Sequence, residues 1–261
     1  MAFVTIAYLV YLLVPILLLL VGSVGETWFN TLLPQGMTGA WYVQVASDGS
    51  FRRAFTTSLI VCAGTCLVSA LIALPLAYSL HNMAHRGVKT VLRVIALLPV
   101  AVPPLVLGFG FVLVFSSDEL PFLGSLWVLV GGHVALALPY LLQALVADMR
   151  HLNLAMLEQA AAAMGAGFAA RFFDIVLPSL RHSLLSGLIM VAALSLGEFQ
   201  LSNLVAGFLT RPYPVVLLQA FYGATGFACA ATVVLLGLAL IAAVSGGLTA
   251  RSARGLQGVA S

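Results

Sequence analysis

The sequence predicts an all-α, polytopic membrane protein of six transmembrane helices with a short cytoplasmic helix between the fourth and fifth. Three observations predict it. Of the 261 residues, 62% are hydrophobic and only 7% charged, where a soluble domain carries about 25% charged residues. Apolar runs long enough to cross a bilayer recur along the chain, and the mean hydropathy is +1.13. The longest polar interruption, Asp148 to Pro178, lies between two such runs. Lipid then satisfies the apolar surface, so helix packing must rest on shape and internal polar contacts. The chain reads as a single transmembrane domain over 1–261.

The spans follow in order, at roughly 4–24, 56–80, 92–116, 125–147, 183–206 and 228–249. The first could be taken for a cleaved signal, because Gly22-Ser23-Val24-Gly25 supplies small residues after an apolar run. No positive charge precedes it and the run is long, so a retained helix is expected. The second carries Cys62 and Cys66 on one face, read as small buried hydrophobes along with Cys229. Pro99, Pro103, Pro104 and Pro139 fall within the third and fourth spans, where proline is commonly a tolerated kink. The second to sixth spans form a five-helix unit over about 55–250.

Lys and Arg orient the chain. Arg86, Lys89, Arg93, Arg150, Arg171, Arg181, Arg251 and Arg254 flank one set of loops, whereas Arg52, Arg53 and Arg211 flank the other. The richer set is therefore expected in the cytoplasm with both termini, and Arg52-Arg53 departs from the rule. A net charge of +3, scattered as it is, gives no reason to expect a nucleic-acid partner. No H-E-x-x-H, G-x-S-x-G or paired intramembrane carboxylates occur, and no G-x-x-x-x-G-K-[ST] phosphate loop. Catalysis and nucleotide hydrolysis are thus not expected of this chain.

The polar loop, about 148–182, contains Leu157-Glu158-Gln159-Ala160-Ala161-Ala162-Ala163-Met164-Gly165. Glu158 suits the positive end of a helix dipole, the alanines have high helix propensity, and Gly165 can take the left-handed conformation that ends a helix. About two turns are expected, with a smooth methyl surface and Leu157, Met164 and Phe168 as larger contacts. Two readings stay open: insertion into a partner's groove, or an amphipathic helix on membrane lipid, for which the basic face is missing.

Gln159-Ala160-Ala161, Gly165, Ile175 and Leu177-Pro178, with their spacing, resemble the EAA loop of the membrane subunits of bacterial type I ABC importers, the binding-protein-dependent permeases. Ala137-Leu138-Pro139-Tyr140, Pro103-Pro104-Leu105-Val106-Leu107-Gly108 and Leu196-Gly197-Glu198-Phe199 agree. Gln159 departs from the usual Glu, and Glu158 beside it retains one charge. The resemblance implies a permease in the bacterial cytoplasmic (inner) membrane whose short helix couples to a cytoplasmic ABC ATPase dimer. The implied coupling residues are Leu157, Glu158, Gln159, Ala160, Ala161, Met164, Gly165, Ala166, Phe168, Ile175, Leu177 and Pro178. It further implies a second permease subunit, identical or not, and a periplasmic or lipid-anchored solute-binding protein. ATP and Mg would lie on the ATPase, with no cofactor in this chain. The chain is most similar to the spermidine/putrescine, 2-aminoethylphosphonate, thiamine and ferric-iron branch.

Glu198 lies about 16 residues into the fifth span, roughly 24 Å along it. A lipid-facing carboxylate there would cost about 2.5–3.5 kcal/mol, so it is expected to face a cavity, water or a helix partner. Glu198, Gln200, Asn203 and His133 are the candidate solute-path residues. The alternatives remain open: Glu198 as a structural hydrogen bond, and His133, after Gly131-Gly132, as a packing histidine. A titrating Glu198 would also suit an ion-coupled secondary transporter.

Overall fold

A computed structural model describes residues 2–28, 31, 33–83 and 85–240. The elements in chain order are α1 (Ala2–Val24), the antiparallel strands β1 (Gly25–Thr27) and β2 (Gln35–Met37), α2 (Ala40–Ser47), α3 (Gly49–Asn82), α4 (Arg86–Ala101) and α5 (Pro104–Phe115). There follow α6 (Leu126–His151), α7 (Leu154–Ala163), α8 (Phe168–Ala170), a π-helical turn (Arg171–Val176), α9 (Leu177–Ser179), α10 (Arg181–Gly197), α11 (Gln200–Val205), α12 (Tyr213–Ala220) and α13 (Thr225–Leu240).

Among the described residues, α1, α3 and α6 are each long and apolar enough to cross a membrane. The third predicted span is not one straight helix. It bends by 98° between α4 and α5, because Pro103 disfavours helical backbone at the residue before it and Val102 is extended (φ −90°, ψ 125°). The fifth, predicted to run to residue 206, stops as α10 at Gly197, and Glu198 is extended (φ −72°, ψ 121°). Upstream, α10 makes a 62° angle with the helical segment Phe168–Ser179. Counting each bent pair once gives up to five crossings by length and composition, where six were expected. The predicted sixth begins as α13, and residues 241–249, Arg251 and Arg254 lie outside the described residues.

The contacts divide into two units, Met1–Ser58 with Arg211–Ile241 and Leu59–Thr210. In the first, α1 is exposed from Phe3 to Leu18, which suits a helix surrounded by lipid. The Trp41 indole donates to the Gly25 carbonyl at 2.8 Å, tying α2 to the small sheet. Asp48 caps α3 by accepting from the Ser50 and Phe51 N–H groups at 2.8 and 3.0 Å. Phe51 then packs edge-on against Tyr213 and Phe227, with ring centroids 5.3 and 5.1 Å apart.

In the second unit α6 is the central post. Leu141, Leu145 and Met149 are buried with Ala73, Ala77 and Leu80 of α3 and Val191 of α10. Lipid is as apolar as these side chains, so close fit rather than burial holds them. Small residues permit that fit: a Cβ on Gly187 of α10 would collide with Leu141. On the other side of α6, Gly132 and Gly108 make room for α11, since Cβ atoms there would lie 2.7 Å from Leu201 and 2.9 Å from Leu204.

Gly124 has φ +85°, and a Cβ on it would lie 3.1 Å from the Gly207 Cα, a backbone atom that cannot swing aside. Thr210 Oγ1 donates to the Gly124 carbonyl at 2.7 Å and closes this crossing. Gly124→Ala is therefore expected to lower stability by about 1–2 kcal/mol, seen as a lower thermal midpoint in detergent. Gly237→Ala, with open space around it, should leave the midpoint unchanged or raise it. Equal midpoints for wild type and Gly124→Ala would show that the crossing is not a constraint.

Candidate functional site

The polar loop folds by local rules that begin earlier than the alanine run. Asn153 takes the left-handed region (φ 50°), which asparagine tolerates, and starts α7 at Leu154, three residues before the predicted Leu157. The helix closes at Ala163. Its end is a Schellman motif: the Ala166 N–H donates to Ala161 at 3.0 Å and the Gly165 N–H to Ala162 at 3.0 Å. Gly165 has φ +90° with no atom near its missing Cβ, so glycine is needed there for conformation and not for space.

This register fixes which side chains face out. Leu154, Glu158 and Ala161 form the buried stripe of α7, and its other residues are exposed. Glu158 lies mid-helix rather than in the first turn, is 4% exposed, and accepts a 2.7 Å hydrogen bond from the Tyr78 phenol of α3. One residue on, about 100° around the helix, Gln159 points outward. The charge on Glu158 therefore does not stand in for the missing one at 159 on the outer surface. Outside lie Leu157, Ala160, Met164 (82% exposed) and Phe168, together with Met156 (64% exposed) and Phe173, which sequence reading passed over. Ala166, Ile175 and Leu177 are half-buried and Pro178 is exposed.

The return segment is held by aromatic rings. Tyr78 meets Phe168 and Phe172 edge-on at 5.9 and 5.3 Å, and Phe168 stacks on Phe172 at 6.1 Å. Tyr78 thus touches both sides of the polar loop through its ring and its hydroxyl. Nothing but an aromatic near the end of a span marked it in the sequence.

The second group surrounds the break between α10 and α11. Glu198 folds back over the start of α11, its Oε1 accepting from the Leu201 N–H at 2.7 Å and its Oε2 from the Ser202 N–H at 2.9 Å and hydroxyl at 2.6 Å. His133 of α6, 2% exposed, has Nδ1 2.8 Å from the Ser195 hydroxyl and Nε2 2.9 Å from the Ser202 hydroxyl, with Glu198 Oε2 at 3.6 Å. One polar cluster joins α6, α10 and α11. The remaining two candidates do not enter it: Gln200 and Asn203 stand on the exposed face of α11, opposite buried Leu201, Ser202 and Val205. Ser195 and Ser202 escaped sequence reading. Their signal was position, since they bracket the one acidic residue of the span at −3 and +4. Among the described residues no group of three His, Cys, Asp or Glu side chains is placed to hold a metal ion.

The profile of the family described as binding-protein-dependent transport system inner membrane component matches residues 69–255. A Salmonella typhimurium protein named as a 2-aminoethylphosphonate transport system permease protein is 27% identical over 241 residues, covering 91% of this chain and 88% of its own. The spermidine/putrescine transport system permease protein PotC of Escherichia coli is 25% identical over 245 residues, covering 92% and 90%. The fold matches a chain of a bacterial ABC transporter involved in the import of the acidic polysaccharide alginate, with TM-score 0.76 at 14% identity over 95% of this chain and 92% of that one. A second structure, the bacterial alginate ABC transporter in complex with alginate pentasaccharide-bound periplasmic protein, gives 0.76 at 17% identity over 95% and 91%. With its apolar helices, its helical fold and a profile match over most of its length, the chain belongs to the binding-protein-dependent transport system inner membrane component family, the multi-pass permease components of ABC importers.

Proposed function

We propose that this permease component lines the path of a small polar solute, a polyamine or an aminophosphonate, and is driven by a separate cytoplasmic ATPase dimer that grips α7. One observation carries the reading: α7 lies between helices α6 and α10, yet turns Met156, Leu157, Met164 and the following Phe168 outward. Apolar side chains on a polar loop lower free energy only when covered. The basic flanks support a cytoplasmic position for this loop and for both termini. A second permease subunit would complete the path. A periplasmic or lipid-anchored binding protein would deliver the solute, and ATP and Mg would stay on the ATPase.

In this reading the outer face of α7 receives the force and its inner face passes it on. Movement of α7 is transmitted to α3 through the Tyr78 and Glu158 pair, and to α10 through the aromatic turn that precedes it. The ATPase must hold α7 more tightly in one conformation than the other, since equal binding shifts neither. At the other end of α10, the outward amides of Gln200 and Asn203 supply neutral donors and acceptors for a polar solute, while Glu198 and His133 hold the break that presents them. The names of the relatives support an amine or aminophosphonate solute.

Three outcomes are expected in proteoliposomes holding the complex with its ATPase and binding protein. Gly165→Val should insert normally but lose uptake and solute-stimulated ATP hydrolysis, because a β-branched residue cannot hold φ +90°; unchanged stimulation would refute coupling through α7. Tyr78→Phe leaves a buried carboxyl without its donor, a loss of about 1–3 kcal/mol, and should cut stimulated hydrolysis well below wild type while the ATPase still co-purifies. Asn203→Ala and Gln200→Ala should raise the solute concentration for half-maximal uptake about 5- to 30-fold, the effect of one or two hydrogen bonds, without loss of assembly. Unaltered solute dependence in both would remove these amides from the path.

A further inference from the structure

Four basic side chains converge where three helices of the second unit end. His81 is the penultimate residue of α3, Lys89 lies in the first turn of α4 with Arg93 one turn later, and Arg150 is penultimate in α6. The α4 helix packs on α6, and Lys89 Nζ donates to the His81 carbonyl at 3.2 Å. Lys89 feels the charges of both Arg93 and Arg150, and His81 those of Lys89 and Arg150.

Among the described residues no acidic side chain lies within 4.0 Å of any of the four. Glu158, the acidic group that His81 feels, already binds the Tyr78 hydroxyl. Two nitrogens of the cluster, Arg93 Nη2 and His81 Nε2, are buried with no hydrogen-bond partner. Arg93 Nη2 can only donate, and a buried charged donor without an acceptor costs about 1–3 kcal/mol or more, while Lys89 and Arg93 at i, i+4 repel. An anion with several acceptor oxygens would relieve both costs.

The surroundings of the cluster indicate what carries the anion. Val91, Ile95 and Leu98 are more than half exposed on the face of α4 opposite Lys89 and Arg93, so the helix that bears these two cations is one whose outer surface suits lipid. A cationic cluster where apolar helices end fits a headgroup phosphate. We propose that His81, Lys89, Arg93 and Arg150 form a binding site for the phosphate of an anionic phospholipid. The site lies apart from the solute path and does not depend on the coupling role of α7.

The test uses the full chain reconstituted in phosphatidylcholine alone or in an equimolar mixture with phosphatidylglycerol, reading thermal midpoint and binding of fluorescent phosphatidylglycerol. Phosphatidylglycerol should bind and raise the midpoint, and Lys89→Gln, Arg93→Gln and Arg150→Gln should each weaken binding roughly fivefold, about 1 kcal/mol per cation. Arg53→Gln, an exposed cation on the first turns of α3, should leave binding unchanged. If inorganic phosphate added to phosphatidylcholine membranes gives the same stabilisation, lost in the same variants, the anion site stands with a soluble phosphate as its source. Binding that persists in Lys89→Gln/Arg93→Gln, or falls equally in Arg53→Gln, overturns the proposal, as does the absence of any effect of either anion. Should Arg93→Gln fold poorly, Arg150→Gln alone decides, because Arg150 is exposed.

Discussion

A helix that starts afresh after a break leaves the N–H groups of its first turn without intrahelical partners, and the carboxyl of Glu198 takes up those of Leu201 and Ser202 in α11. Much of the second unit is arranged around that requirement. The carboxyl can lie over α11 only if α11 sits close against α5 and α6, which Gly108 and Gly132 allow. Ser202 shares its hydroxyl between Glu198 and His133, and His133 reaches back to Ser195 on the other side of the break. With its polar atoms bound in this way, the acidic residue is a fixture of the break. The amides of Gln200 and Asn203 then face outward by helical geometry, one turn apart on the face opposite the packed leucine.

The legible parts of the fold were those that depend on solvent preference. Uninterrupted apolar runs located α1, α3 and α6, and the long polar loop with Gly165 marked a short helix with a glycine end. Hydropathy carries no information about direction, so the third run was read straight through Val102-Pro103-Pro104 although proline stereochemistry turns it by 98°. The fifth was read through Glu198 for the same reason, since the flanking leucines and alanines continue the pattern across the break. The start of α7 escaped because it rests on one left-handed asparagine. The earlier start puts Glu158 in the middle of α7, where the sequence reading had it near the positive end.

Pairings across long separations were legible only in part. Glu198 was recognised as needing a partner, but its side-chain partners, Ser202 and His133, are set by how α10 and α11 lean on α6. Tyr78 and Glu158 lie 80 positions apart and meet only because α3 and α7 share one end of the bundle. Neither residue type announces this contact. A tyrosine near the end of a membrane span has an ordinary use at the lipid interface, and only its distance to the carboxyl separates the two roles.

The polar loop therefore divides its work by helix face. Inward, one hydrogen bond and three aromatic rings fix its two arms to α3, so the loop cannot slide freely against the bundle. Outward, methionine, leucine and phenylalanine give a surface that adapts its shape and carries little charge. A contact that must form and release repeatedly is better served by such a surface than by buried ion pairs, whose desolvation would oppose each new docking. Replacing the expected acidic residue by Gln159 on this face is consistent with that preference. Under the proposed coupling, the rigid anchor and the soft outer surface are complementary: the softness would set how tightly a partner holds α7, and the anchor would set how much of the partner's motion reaches α3.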